Sequence, residues 1–295
     1  MDLKQIEYIV EIANEQNISR AAQKLFITQS ALTQQLIKLE RELNTQLFYR
    51  SKNNCQLTPA GKIYIDNARE MLRIKQNTYR AITDITHIHK GSLSIGFVPG
   101  RGVAMFAHIY PTFHKLYPDI SISPRECLTK YQLDLLKEGN IDIGFISIPE
   151  DYAHTGIQLT QLAEEDLYLV VPASHPFADD LRDPVDIRLF RHTPFVIINK
   201  ESTMRPLVDD IFKNAGFMPK VLFETPHNPT ILTMVENGIC CGIMTGYYLR
   251  GSHPAIKTFR IANVPKWHTY ACYRPNNYLS EPFVTFINMA KDYFA

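Results

Sequence analysis

SRAAQKLFITQSALTQQLIKLEREL, residues 19–43, holds two short helical patterns with almost nothing between them. Ser19 offers an oxygen to a free N–H of the first opening turn, and Ala21, Ala22, Leu25 and Phe26 supply a buried face. Ile27 leads to Thr28, a second good cap. From there Leu32, Leu36, Leu39 and Leu43 recur at helical spacing as one apolar stripe. Ser30, Thr33, Gln34 and Arg41 face roughly the other way, and Gln29 lies at the edge of the stripe. A second helix with an apolar back and a donor-rich front suits entry into a DNA major groove. The same pattern also fits an ordinary helical hairpin with a solvated face.

The next residues shift the balance. Leu47–Arg50 and Cys55–Thr58 read as two short strands joined by a turn of Ser51, Lys52, Asn53 and Asn54. That hairpin carries Arg50 and Lys52, placed for contacts with phosphates. Thr58 and Pro59 then open a long helix, threonine as cap and proline where no N–H is needed.

With AAQKLFITQSALTQQLIKLERELNTQLFYR followed by LTPAGK, the chain resembles the LysR-type transcriptional regulators. The resemblance implies a winged helix-turn-helix head, a long linker helix that pairs with its twin, and a two-lobed α/β effector domain like the type 2 periplasmic solute-binding proteins. Three positions depart from the family pattern: Asn44 stands where glycine is usual, Asn53 where a second arginine is common, and Ile37 where a polar residue is commoner. Asparagine also accepts the left-handed backbone that glycine serves. The head is expected over 1–58, the linker over 59–90 and the effector domain over 91–295. DNA-facing residues carried over are Ser19, Arg20, Thr28, Gln29, Ser30, Thr33, Gln34, Arg50 and Lys52.

At 295 residues there is room for two or three cores. The net charge of +1 conceals about 13 Lys and Arg against about 9 Asp and Glu in residues 1–90, and an acidic remainder. A basic front on a mildly acidic body fits a DNA-binding head on a sensing body. The first helix spans about Leu3–Ala13, capped by Asp2 with Gln5 reaching back, and Leu3, Ile6, Ile9, Val10 and Ala13 form its inner face. The helix opened by Pro59 extends to about His89, with a heptad-like seam of Ile65, Ala68, Leu72, Tyr79 and Ile82. The seam pairs two copies or lies on its own domain; the resemblance implies a homodimer or homotetramer.

From Ser92 strands and helices alternate, which argues for α/β lobes. LSIGFV, ISI and IDIGFIS are strands, separated by helices at PTFHKLYP and YQLDLLKEG. DLYLVVP, PFVIINK, KVLFE and GICCGIM follow, with helices at Pro206–Asn214 and Thr230–Asn237. A strand at Tyr270–Tyr273 and a helix at Pro282–Tyr293 end the chain. The resemblance returns these last two to the first lobe, so that lobe I is about 91–163 with 267–295, and lobe II about 164–266.

Ligands of open α/β sheets sit beyond the carboxyl ends of strands, where helix N-termini present free N–H groups. Four such places recur: Pro99, Gly100, Arg101 and Gly102; Thr129 and Lys130; Asn199, Ser202 and Thr203; and Thr245. Small residues, hydroxyls and N–H groups suit a small anionic metabolite, with Arg101, Lys130 and Lys200 as sources of charge. Thr129 and Ser202 also read as helix caps.

The sequence carries no metal spacing, G-x-S-x-G elbow or phosphate loop, so neither catalysis nor a cofactor is expected. Glu164-Glu165-Asp166 reads as a solvated strand start. Some members of the family sense oxidants through a cysteine pair. Here Cys240 and Cys241 are adjacent in an apolar run and read as small buried hydrophobes. Five scattered cysteines, no secretory leader and no membrane-length run suit the cytoplasm. The leading function is ligand-responsive regulation through double-stranded operator DNA. An effector-independent DNA-binding oligomer, and a small-molecule binder or enzyme with an N-terminal interaction module, stand behind it.

Overall fold

The computed structural model describes residues 2–51, 54–86, 90–150, 152, 156–176, 178–179 and 181–295. It falls into two compact units, one of residues 1–89 with 276–280, the other of 90–275 with 281–295.

The first unit contains α1 (Leu3–Glu15), α2 (Ile18–Lys24), α3 (Gln29–Glu42), β1 (Phe48–Ser51), β2 (Asn54–Leu57) and α4 (Pro59–Ile85). Asp2 Oδ1 accepts from the Gln5 N–H at 2.7 Å and caps α1. Ile6, Ile9, Val10 and Ile12 are its buried side, while Leu3 is exposed; Ile12 takes the role expected of Leu3. The cap of α2 is Asn17, whose Oδ1 accepts from the Arg20 N–H at 3.0 Å. Ser19 therefore lies inside the first turn and is not the cap, because an equally good cap precedes it. Thr28 caps α3 as the sequence indicates, accepting from the Ala31 N–H at 3.2 Å. Leu32, Leu36 and Leu39 are fully buried under it, but Leu43 at its end is exposed.

Phe26 departs from its expected buried face. Its backbone is left-handed, with φ of 56°, and its side chain is 95% exposed. The tight junction between α2 and α3 requires that backbone, which turns the ring away from the core that Ala21 and Ala22 enter. Asn44, also left-handed at φ of 50°, does what the usual glycine does. Glu40, only 8% exposed, holds the next segment by accepting from the Leu47 N–H at 2.9 Å.

The hairpin pairs Phe48 with Leu57 and Ser51 with Asn54, one residue off the sequence reading at each strand. Thr58 is taken instead by the helix: it accepts from the Gly61 N–H at 2.9 Å and donates to Gln46 O at 2.7 Å. The Arg50 side chain, Lys52 and Asn53 lie outside the described residues, as do 87–89, where the long helix was expected to end. α4 closes at Ile85, and its seam divides. Ile65 and Ala68 are buried in the head's own core, and Leu72 packs on it. The exposed apolar positions are Tyr79 and Ile82 of the expected seam, together with Ile63, Met71, Ile74 and Ile85. A groove of about 430 Å³ lined by Ile6, Leu47, Ala60, Ile63 and Met71 adjoins this stripe.

In the second unit, β3 (Gly91–Phe97), α5 (Arg101–Leu116), β4 (Ile120–Glu126), α6 (Thr129–Glu138), β5 (Ile143–Pro149) and β6 (Gln158–Glu165) come first. β7 (Leu167–Pro172), β8 (Pro194–Ile198), α7 (Arg205–Asn214), β9 (Lys220–Thr225), α8 (Asn228–Glu236), β10 (Gly242–Thr245) and β11 (Ile256–Arg260) follow. β12 (Trp267–Tyr273) and α9 (Glu281–Phe294) close the chain. One sheet has the order β4-β3-β5-β12-β6, with β12 antiparallel to both neighbours. α5 and α9 bury Met105, Ile109, Phe113, Phe283 and Phe286 in one core, and Leu133 and Leu136 of α6 lie in another with Ile146, Ile148 and Cys272. The rest forms β10-β7-β11 and the parallel pair β8-β9, joined by a bridge between Phe195 and Cys241. The chain passes between these groups twice, at Asp166 and over 261–266.

α5 begins ten residues before the stretch that read as helix, with Pro111 inside it. An internal proline loses one hydrogen bond, and the burial of Met105, Ile109 and Phe113 on one side outweighs that loss. β6 and β11 are absent from the sequence reading. Both lie at sheet edges, and only Leu162 of β6 and Ile256 and Phe259 of β11 are buried, which leaves no alternation. Cys240 and Cys241 precede β10 and are buried, as expected of small hydrophobes; burial pushes the Cys241 thiol up to about 12.

Replacing Phe26 by glycine relieves a left-handed backbone at a side chain that buries nothing. Phe26→Gly is expected to raise the stability of the protein by about 0.5–1 kcal/mol in chemical denaturation, since that backbone disfavours a side chain by about 1–2 kcal/mol. A loss of stability would show that the exposed ring has a partner within the fold.

Candidate nucleic-acid interface and ligand cleft

α2 and α3 are tied at their starts. Ser19 Oγ donates to Gln29 Oε1 at 3.0 Å, which leaves both amide N–H groups of Gln29 free. Thr28 Oγ1 meets Ser30 Oγ at 3.1 Å, and Thr33 Oγ1 donates to Gln29 O at 2.8 Å. Gln29, Ser30 and Gln34 are exposed and Thr33 half-exposed, so the front of α3 presents amides and hydroxyls. Of the basic groups, Arg20 donates to Glu15 O at 2.8 Å. Lys24 is held by Glu11 at 2.6 Å and Glu15 at 3.0 Å. The bond from Glu11 raises the Lys24 pKa above its ordinary value, against the opposing effect of burial.

In the second unit the ends of strands from both sheets meet around a cavity of about 120 Å³. Pro99, Arg101, Thr129, Asn199, Ser202, Thr203 and Thr245 line it; Gly100, Gly102 and Lys130 do not. Gly102 serves packing instead, because a Cβ there would meet Phe97 Cβ at 2.7 Å. Lys130 and Lys200 are exposed and outside the lining. Thr129 is the first residue of α6, 4% exposed, and makes no capping bond. Ser202 keeps a local role, accepting from the Met204 N–H at 3.2 Å. Thr203 Oγ1 crosses the cavity to donate to Ser147 O at 2.8 Å, joining the loop before α7 to β5.

The charge expected of Arg101 is neutralised. Arg101 is 4% exposed and forms a two-pronged pair with Glu165, at 3.1 and 3.2 Å. Its guanidinium also lies 4.5 Å from the Tyr247 ring centre and 5.1 Å from that of Phe294. The acidic run is thus not a solvated strand start: Glu165 faces Arg101, and Lys266 joins Asp166 at 2.7 Å and Glu164 at 3.9 Å. That last group fastens one chain crossing to the other. Glu201 is the carboxylate on the lining; it is exposed, and His227 lines the same cavity.

Among the polar and aromatic groups of the lining, sequence reading missed Ser147, His227, Asn228, Tyr248 and Trp267. Ser147 and Trp267 belong to strands whose faces only the fold assigns. Asn228 stands before a proline at a helix start, and Tyr248 follows the strand end already marked at Thr245; both signals were legible. Tyr248 stands beside the start of α5, where a Cβ built on Gly100 would lie 3.7 Å from its hydroxyl, and burial chiefly raises its pKa. A larger groove of about 640 Å³ lies between α7 and residues 261–265; it contains none of the expected residues, and its arginine, Arg188, pairs with Asp186 at 2.7 Å.

Arg101→Met should leave the Glu165 carboxylate buried without a partner and cost about 3–5 kcal/mol in urea unfolding. The double replacement Arg101→Met with Glu165→Gln should recover much of that loss. Equal instability of single and double variants would locate the cost in packing.

Comparison with known proteins fits this geometry. A profile described as bacterial regulatory helix-turn-helix protein, lysR family, matches residues 3–62, and the LysR substrate binding domain matches residues 87–295. The chain is 27% identical to the HTH-type transcriptional regulator YcgK of Bacillus subtilis strain 168, over 99% of this chain and 94% of that protein. A full-length OxyR variant from Pseudomonas aeruginosa superposes with a TM-score of 0.75 at 24% identity, covering 100% of this chain and 97% of that one. Full-length CbnR in complex with its target DNA gives a TM-score of 0.58 at 22% identity, with 100% of both chains covered. With the substrate-binding profile alone spanning well over half the sequence, the chain belongs to the LysR-type transcriptional regulators, DNA-binding proteins with an effector-binding domain.

Proposed function

We propose that the protein reads its operator with the front of α3, and that a small molecule held between the two sheet groups of 91–295 changes how it does so. Gln29, Ser30, Thr33 and Gln34 reach base edges, and Ser19, Arg20 and Thr28 position the helix start. Arg50 and Lys52 of the hairpin hold phosphates. The observation that carries the ligand half is convergence: residues from both sheet groups, among them Thr129, Ser202 and Thr245, line one cavity. A ligand shifts the protein only by binding its two arrangements unequally. Opening the cavity breaks the bond from Thr203 to Ser147, so occupancy is coupled to the approach of the two groups. The protein acts by binding, without catalysis.

In this reading 1–58 is the head, 59–90 the linker and 91–295 the effector domain, with lobes of 91–163 plus 267–295 and 164–266. LysR-type regulators form oligomers, and here the exposed stripe of Met71, Ile74, Ile82 and Ile85 pairs α4 with a second copy in a homodimer or homotetramer. The protein works in the cytoplasm; among the described residues no helix is long and apolar enough to cross a membrane.

Thr33→Ala and Gln34→Ala should each weaken operator binding by about 1–3 kcal/mol while leaving binding to random DNA nearly unchanged. Titration of both DNAs at one salt concentration reads the difference, and equal losses on both remove these residues from base recognition. Ile82→Glu should shift sedimentation toward the monomer without unfolding the head, because Ile82 is 54% exposed there. An oligomer unchanged by this variant rules out the stripe as its interface.

A further inference from the structure

The two sheet groups of the second unit are pinned to each other by rings that cross between their cores. Trp267, from β12 of the five-stranded sheet, lies in the core of the other group, which includes Phe195 and Ile243. In the opposite sense, Tyr247 directly follows β10 of that other group and packs against the core of the five-stranded sheet, which includes Met105 and Phe286. The next two residues, Tyr248 and Leu249, pack on their own group's core. Residues 247 and 248 thus face two different cores.

The two pins are held differently. Trp267 is 4% exposed and starts a strand paired on both edges, directly after the crossing at 261–266. Tyr247 is half-buried, stands far from both crossings in sequence, and ends in a hydroxyl 3.0 Å from that of Tyr293. Its ring centre is 4.5 Å from the Arg101 guanidinium and 6.0 Å from the Phe294 ring. Arg250 adds a tie from the same segment, with its Nη2 donating to Phe294 O at 3.0 Å. Arg101 belongs to α5, and Tyr293 and Phe294 to α9, so each of these contacts joins one group to the other. A ring held by a guanidinium and one hydroxyl bond, with a polar tip, is released into water far more easily than an indole set in a core.

We propose that Tyr247 is a releasable latch: the crossings and Trp267 form the fixed side, and seating of the Tyr247 ring against Arg101, Tyr293 and Phe294 holds the two groups closed over the cavity, so that its release admits a ligand. Arg101 lines the cavity, which places the latch directly behind that wall. Tyr247, Arg250 and Tyr293 are positioning residues, since none of them is on the lining. The latch itself follows from packing; its bearing on a ligand rests on the cleft reading given above.

Trp267 is the sole tryptophan and lines the cavity, so its fluorescence reports opening in the full-length protein. Acrylamide, a small neutral quencher, is the probe. Tyr247→Phe removes only the hydroxyl, and Tyr293→Phe removes the same bond from the other side. Each is expected to increase the quenching of Trp267 about five-fold, the factor that one ordinary hydrogen bond contributes. The double variant should add nothing to either single change, because both remove one shared bond. Hydrogen exchange at Leu169–Val171, buried in β7, should stay unchanged, which separates opening of the cavity from unfolding. Unchanged quenching in both single variants overturns the latch. So do additive effects in the double variant, and so does exchange in β7 that rises in step with the quenching. No effector enters the measurement, so failure of the latch leaves the cleft reading standing, and failure of the cleft reading leaves the quenching result intact.

Discussion

Strand β12 pairs antiparallel with β5 along one edge and with β6 along the other. A segment that follows the whole second sheet group in sequence is thereby built into the inside of the first. Because β12 is hydrogen-bonded on both sides, and Ala271 and Cys272 are fully buried, it cannot leave without dismantling that sheet. The second group is therefore connected by two crossings, not one, and moves with restricted freedom. Lys266 on one crossing and Asp166 on the other are fastened together, which keeps the two connections side by side. Trp267, the first residue of β12, packs into the core of the second group and forms part of the cavity wall. The same strand thus closes one lobe, anchors the other and lines the space between them.

Legibility in the sequence followed local redundancy. The elements around Thr28, Thr58 and Gly139 were readable because an apolar period agrees with a cap at the first two and with a terminating glycine at the third. Ser19 misled because Asn17 competes for the same task, and only the backbone decides between them. Phe26 misled because periodicity places it inward, while the junction's left-handed backbone turns it outward. β6 and β11 carry too few buried residues for any pattern; their pairing partners define them. In the cleft, loops at strand ends were readable from topology, so Thr129, Asn199, Ser202, Thr203 and Thr245 were found. Electrostatic balance was not readable: Glu165 stands 64 residues from Arg101 in sequence, and only the fold brings them together.

That pairing changes what the cavity is chemically. An arginine at a strand end, seen alone, looks like a receptor for carboxylates. Buried against Glu165 and between two aromatic rings, it becomes a fixed post on which α5, the strand end of β6 and residues 246–249 converge. Its work is to hold walls in place, and the other polar groups of the lining are hydroxyls, amides, Glu201, His227, Tyr248 and Trp267.

α4 meets the head's apolar core through its first half, at Ile65, Ala68 and Leu72, and polar bonds hold it further along. From Arg73 to Ile85 it runs on for about 20 Å at the rise of an α-helix, with Arg73 and Asn77 donating to Asn276 O and Lys75 joined to Glu7 at 2.7 Å. A tilt of about 10° over that length displaces the helix tip by about 3.5 Å, nearly one base-pair step along a DNA strand. A small angular change near Thr58 is therefore converted into a displacement at Ile85. The end at which that tilt is set is the one buried and capped by Thr58.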